Sequence, residues 1–459
     1  MGMATAKAKF SKPLLFRSKL LCFSVFYLFT SLFLALYVNL SSTKCILRSS
    51  PFDPIQSPLF TYPSSYGQHR HALPTLHSSC NSPVFFSDYW MVLQEIQEFS
   101  KNSTELGSEA VKYLKENADS FGGNFSAKKR YSYFDHENKD VNLPCGFLKK
   151  FPVSFSDWIA MRACDGVVVV SAIFNDHDKI RQPRGLGSKT LNNVCFFMFI
   201  DEVTLNGLYY HKMVSRLRKQ HKIGAWRIVQ VSTEHLYENA AMNGVIPKYL
   251  VHRIFTNSKF SIWVDAKMQL VVDPLLLIHT LIIKADADVA MSRHPFFVHT
   301  MEEAMATARW KKWGNINGLR MQMESYCENG LEPWSSKKLP YPSDVPDSAL
   351  ILRRHGVASN RFSCLLFNEL EAFNPRDQLP FAFVRDFMKP KLKLNMFDVE
   401  VFEQVASEYR HNLNNVKVSG DRSRDKINTN TAFSNLFSGN ASFNKCQGYL
   451  LKMWGELHD

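Results

Sequence analysis

Val167–Phe174 reads VVVVSAIF and runs straight into Asn175-Asp-His-Asp178. Eight residues without a charge, the first four all Val, offer a polar face to neither side of a pleat. Such a strand is covered on both faces, the habit of parallel sheets flanked by helices. The same texture returns at Val194–Ile200 (VCFFMFI), Trp226–Val231 (WRIVQV) and Ser261–Val264 (SIWV), with Asp286–Met291 (DADVAM) as a further strand. Helix-like segments lie between them at Tyr209–Gln220 and Lys248–Phe255, the second entered by Pro247. The alternation predicts an α/β fold with one mainly parallel, doubly wound sheet.

In open α/β sheets ligands collect beyond the carboxyl ends of the strands. Those ends are Asn175–Asp178, Asp201-Glu202 and Asp265-Ala-Lys267, three acidic ends in one sheet. A hydrophobic strand that delivers Asp-x-Asp is how GT-A-type nucleotide-sugar transferases hold a divalent cation, so the expected class is GT-A-like. Here Lys267 replaces the second acid. Asp265 is then the catalytic and metal-facing residue, and the Lys267 ammonium itself neutralises substrate charge. The plainer alternative has Asp265 capping the next turn and Lys267 in solvent. Asp176 joins the substrate-binding group. Arg184-Gly-Leu-Gly-Ser-Lys-Thr190 adds Arg184 and Lys189, without the Gly-Lys-Ser/Thr order of a phosphate loop. Asp286-Ala-Asp288 is a literal Asp-x-Asp, but it sits at a strand start, the wrong end.

Downstream, His294 follows a strand and precedes Pro295, which aims it at the cleft as a catalytic candidate or leaves it a structural hydrogen bond. Asp377, between Arg376 and Gln378, is a general base or a helix cap, with Arg376 as a substrate ligand. Neither G-x-S-x-G nor H-E-x-x-H occurs, which weakens the common hydrolase readings.

Of 459 residues, 45% are hydrophobic and 21% charged, enough for a packed core and against wholesale disorder. The net charge is +13, but residues 1–48 hold seven Lys/Arg and no acid, leaving +6 for the rest. That is no nucleic-acid footprint. Leu20–Val38 has no charge, Pro or Gly and matches a hydrocarbon core of about 30 Å. Five positives precede it, so the N-terminus is expected in the cytosol and the body in a lumen. The organisation reads as 1–19 basic tail, 20–38 signal anchor, 39–88 Pro/Ser-rich extended stem, 89–144 helical packing region, 145–411 catalytic domain and 412–459 polar tail with a short docking helix. Asn102, Asn124 and Asn440 open glycosylation triplets. Eight cysteines outside the anchor could pair in an oxidising lumen, although Cys195 and Cys364 read as core thiols. His69, His71 and His77 read as a solvated linker group.

The ordered blocks CDGVVVVSAIFNDHDKIRQP, FFMFIDEVT, IPKYLVHRIF, SIWVDAKMQL, SRHPF with EEA, and RDQLPF resemble a plant glycosyltransferase-like domain family over about residues 145–415. The resemblance implies a single-pass Golgi membrane enzyme. Its first implication is an alkaline ceramidase, which hydrolyses the amide of ceramide in turgor regulation of guard cells and pollen tubes. Its alternative is a hexosyltransferase moving a sugar from a nucleotide sugar to a glycan acceptor. The partners implied are membrane ceramide, or nucleotide sugar and glycan. The cofactor stays open: a divalent cation, Mn or Mg for a transferase, Zn or Ca for a ceramidase. A third class is a non-catalytic scaffold, which Lys267 in place of an acid keeps open.

Overall fold

The computed structural model describes residues 18–40, 45–48, 54–67, 72–73, 82–102, 111–114, 121, 125–135, 142–146, 151–217, 220–232, 236–310, 312–409 and 445–455. The strands at its centre are β1 (Val167–Ile173), β2 (Val194–Ile200), β3 (His221–Ile223), β4 (Trp226–Gln230), β5 (Phe260–Val264), β6 (Val289–Arg293), β7 (Pro346–Arg354) and β8 (Leu394–Phe397). They form one eight-stranded sheet in the order β8-β6-β7-β5-β1-β2-β4-β3. β1 pairs in parallel with β2 and β5, β2 with β4, and β6 with β8. β7 runs antiparallel to both β5 and β6, and β3 to β4. The sheet is therefore mixed: six strands run one way, and only β7 and β3 run against them. An apolar run announces a covered strand but not its direction, and the apolar centre of β7, Ala349–Leu352, is buried between two strands that both run against it.

Both faces are covered, as the continuous runs require. Val168, Val170, Phe197, Phe199, Trp263 and Ile351 belong to one buried cluster, and Val167, Val169, Phe196, Met198, Ile262 and Leu350 to the other. The helices used below are α1 (Lys19–Leu40), α2 (Tyr89–Asn102), α3 (Glu202–Tyr210), α4 (Ala240–Tyr249), α5 (Thr300–Arg309), α6 (Val357–Ala372), α7 (Gln378–Phe387) and α8 (Cys446–Gly455). α4, α6 and α7 pack into the first cluster, and α2 into the second.

Of the two expected helices, Tyr209–Gln220 is overturned beyond its first two residues, and Lys248–Phe255 is divided between the end of α4 and a short helix at Val251–Ile254. Asp201 Oδ1 accepts the Thr204 amide at 2.8 Å, so α3 begins at Glu202, and Lys212 at φ 56° turns the chain after it. Asn239 caps α4 in the same way at 2.8 Å, which leaves Pro247 inside the helix rather than at its entry.

The described parts of the expected stem do not stand off from the body. Cys45 and Tyr66 are buried, and the Tyr66 hydroxyl accepts the Ile180 amide at 2.8 Å. Disulfides join Cys145 to Cys364, Cys164 to Cys195 and Cys327 to Cys446, so Cys195 and Cys364 are not free thiols. The last of these ties α8 down, and Met453 is buried with it. Among the described residues α1 alone is long and apolar enough to cross a membrane, with a mean hydropathy of 2.1. His69, His71, His77, Asn124 and Asn440 lie outside the described residues, as does the side chain of Asn102.

Candidate functional site

A cleft of about 970 Å³ opens beyond the carboxyl ends of β1, β2 and β5. Because β7 is antiparallel to β5, its first residues reach the same place. The register sets Leu350 opposite Val264, so Asp347 and Ser348 stand beside Asp265. Asn175, His177, Asp178, Lys248, Trp263, Asp265, Lys267, Asp347, Ser348, Arg376 and Asp377 all line the cleft. Its rim is bent at the end of β1, where Asn175 and Asp176 take φ of 59° and 50°. Asn and Asp tolerate this left-handed region better than other side chains, and such strain gathers at functional sites.

The floor is a buried network around Lys248 from α4. Its Nζ lies 2.7 Å from Asp377 Oδ2 and 3.5 Å from Asp265 Oδ1, and it donates to Ser348 Oγ at 3.3 Å. Ser348 Oγ donates to Asp377 Oδ1 at 2.8 Å, and the Tyr249 hydroxyl donates to Asp377 Oδ2 at 2.9 Å. Burial would raise the Asp377 carboxyl, but Lys248 and the two hydroxyls hold it below the usual carboxylate range. Burial would likewise lower Lys248, yet Asp265 and Asp377 raise it, so the ammonium stays charged.

Asp265 is half-buried and turns to the cleft, its Oδ1 accepting the Trp263 indole N–H at 2.6 Å. Lys267 Nζ is 2.8 Å from Glu408 Oε1, and burial is outweighed there by Glu408 and Asp265, which raise its pKa. Asp347 is pushed up to about 6 by burial, against the lowering pull of Lys267.

The sequence candidates divide. Asp265, Lys267, Arg376 and Asp377 converge on the cleft. Asp176 lies just behind it: burial raises its carboxyl, and a Cβ at Gly207 of α3 would stand 3.3 Å from it. Asp201 is a cap that also accepts the Asn175 amide at 2.7 Å. Arg184 and Lys189 are exposed and do not line the cleft. Their loop is pinned elsewhere, the Gly187 amide donating to Asp273 Oδ2 at 2.7 Å. His294 sits outside the lining, stacked on Phe297 at 4.9 Å. Its Nδ1 accepts the Phe296 and Phe297 amides, and burial pushes it down to about 4. Asp286 is exposed and bonded to Lys393 at 2.7 Å, as its place at a strand start suggested.

Lys248, Ser348 and Asp347 were missed by sequence reasoning. Lys248 looks like one more surface lysine beside Pro247, and Asp347-Ser348 opens a strand whose direction the residues do not declare. The donor set does not fit a divalent cation at Asp265: its carboxylate is engaged by an indole and an ammonium, and Lys267 fills the place of a second acid. Among the described residues the one His/Cys/Asp/Glu group with ligand spacing is Cys145, His252 and Cys364, and its two cysteines are joined as a disulfide.

Residues 106–411 match the model of the TOD1/MUCI70, glycosyltransferase-like domain. The chain is 60% identical over 456 residues to the alkaline ceramidase TOD1 of Arabidopsis thaliana, covering 97% of this chain and 98% of that one. It is 35% identical over 344 residues to the probable hexosyltransferase MUCI70 of Arabidopsis thaliana, covering 72% of this chain and 58% of that one. Among solved structures, the apo WbbM bifunctional glycosyltransferase is similar at 10% identity and a TM-score of 0.27, over 50% of this chain and 38% of that one.

Proposed function

The chain belongs to the TOD1/MUCI70, glycosyltransferase-like domain family, and from that premise we propose that it is an alkaline ceramidase, hydrolysing ceramide to sphingosine and a fatty acid. The observation that carries this reading is the 60% identity to alkaline ceramidase TOD1 over almost the full length of both chains. The site's chemistry is compatible with it. The Asp347 carboxylate, ionised above about pH 6, takes a proton from water as the water oxygen attacks the amide carbonyl carbon. Lys267 and Arg376 face the oxyanion that forms. The C–N bond then breaks, the nitrogen takes the proton held by Asp347, and fatty acid and sphingosine leave. Asp265 accepts hydroxyls of the sphingoid head, and Lys248 with Asp377 fixes its orientation. No step is routed through a metal, and none uses Asp176, Arg184, Lys189 or His294.

In this reading α1 is a single-pass anchor, the N-terminus faces the cytosol and the body lies in the Golgi lumen. The basic residues before α1 and the disulfides among the described residues support that orientation. The three glycosylation triplets and a role in turgor regulation belong to the same proposal.

A second reading, hexosyl transfer from a nucleotide sugar on a GT-A-like fold, is favoured by Asp265 at a strand end above the cleft and by the MUCI70 relative. Purified full-length chain in detergent decides between them. Sphingosine release from ceramide, with no turnover of nucleotide sugars, supports the ceramidase. The reverse result supports the transferase.

A further inference from the structure

The segment after β6 places apolar side chains where water would be expected to select against them. Phe296 is 60% exposed, Val298 40%, and Trp310, which ends α5, 50%. They stand on a fixed base. Phe297 is buried, His294 stacks on it, and the His294 Nδ1 accepts the Phe296 and Phe297 amides, which locks the turn. Trp310 lies 6.4 Å from Phe297, and Lys312 Nζ sits 5.0 Å from the Trp310 ring. Aromatic rings with an ammonium over them suit the headgroup level of a bilayer, apolar on one side and wet on the other.

The patch adjoins the cleft. Glu303, its side chain fully buried, lies 3.1 Å from Lys312 and 2.5 Å from Arg376, which lines the cleft. The acids at the patch are both engaged: Glu303 as this bridge, and Glu302 in accepting the Val298 and His299 amides. The same chain carries α1, whose 22 residues span about 33 Å, enough to cross a hydrocarbon core. The body is thus tethered beside a membrane.

Resting on the ceramidase reading, we infer that Phe296, Val298, Trp310 and Lys312 form a membrane-contact surface that seats the cleft mouth against a lipid bilayer. A ceramide would then enter the cleft from the bilayer without crossing water. The partner is the lipid surface itself, held by insertion of the apolar side chains at the headgroup level.

The test uses the full-length chain reconstituted in vesicles of phosphatidylcholine. Phe296→Ser with Trp310→Ser is expected to lower kcat/KM on vesicle-borne long-chain ceramide by roughly tenfold or more, while water-dispersed short-chain ceramide is cleaved as by wild type. An equal fall on both substrates, or no fall on either, overturns the inference. A second readout does not depend on activity. Brominated phosphatidylcholine should quench the tryptophan emission of wild type more than that of Trp310→Phe, since α1 contains no Trp. Equal quenching places Trp310 away from the bilayer and sinks the contact surface. A wild type that cleaves neither ceramide sinks the enzymatic reading instead, and the quenching comparison still decides the surface.

Discussion

Lys248 Nζ lies 2.7 Å from Asp377 Oδ2 and 3.5 Å from Asp265 Oδ1, so one ammonium from α4 joins a carboxylate at the end of β5 to one at the start of α7. Lys248 and Asp377 are both less than a tenth exposed. Removing one partner of a buried pair leaves the other charge without compensation. Lys248→Met is therefore expected to lose about 3–5 kcal/mol of stability. Adding Asp377→Asn should cost less than the two single changes together, because the residues share one network. Urea unfolding of the four proteins measures this, and strict additivity would contradict it.

Asp347 sets a pH dependence. Its folded pKa of about 6 lies above its ordinary value near 3.8, so it contributes stability below the lower value that is lost as pH rises through the upper one. Catalysis runs the other way, since the base works only when ionised. Activity should rise through about pH 6 and hold into the alkaline range. Asp347→Asn should abolish that activity while stabilising the fold at pH 8 by on the order of 1–3 kcal/mol. A variant that keeps its activity would remove Asp347 from the reaction.

Lys267 lowers the Asp347 pKa, and its own ion pair with Glu408 is a quarter to two-fifths exposed. Such a pair contributes at most ~1 kcal/mol. Lys267→Met is expected to leave the unfolding midpoint almost unchanged, move the acid limb of the pH profile above 6, and lower kcat. An unmoved limb would contradict the coupling.

How much of this was legible beforehand depends on what an apolar run encodes. The runs at Val167–Ile173 and Val194–Ile200 declared covered strands, and both are such strands with helices on each face. The strand ends at Asn175–Asp178 and, after Ser261–Val264, at Asp265 were therefore found, and Asn175, His177, Asp178 and Asp265 do line the cleft. Pro346–Arg354, with Pro and Asp at its start and two Arg at its end, was not read as a strand, so Asp347 and Ser348 were passed over although β7 carries them to Asp265. Asp201 has the same look as Asp265 in sequence. What separates them is the Thr204 amide, which the first uses as a cap. Arg184 and Lys189 have the composition of an anion loop, but Asp273 supplies that loop's anion from within the fold.

Three histidines, His252 buried and His294 and His355 half-buried, govern the acid side. His294 is held down to about 4 and His355 to about 3 by burial, and His252 well below its usual value. A histidine with a depressed folded pKa contributes stability present above about 6.5 and lost as pH falls towards the folded value. Urea midpoints should therefore drop steadily between pH 6.5 and 4, less steeply in His294→Gln. A midpoint flat over that range would show that these rings are not held neutral.

The most direct measurement compares purified full-length wild type with Asp265→Asn, assaying sphingosine release from ceramide at alkaline pH. Asn keeps a carbonyl oxygen for the Trp263 indole but lacks the charge that faces Lys248 and the cleft. Ceramide hydrolysis by wild type, lost at least tenfold in the variant while the unfolding midpoint moves little, is the result expected if this cleft is the active site. Hydrolysis undiminished by the substitution, or nucleotide-sugar turnover with no sphingosine released by wild type, would contradict it.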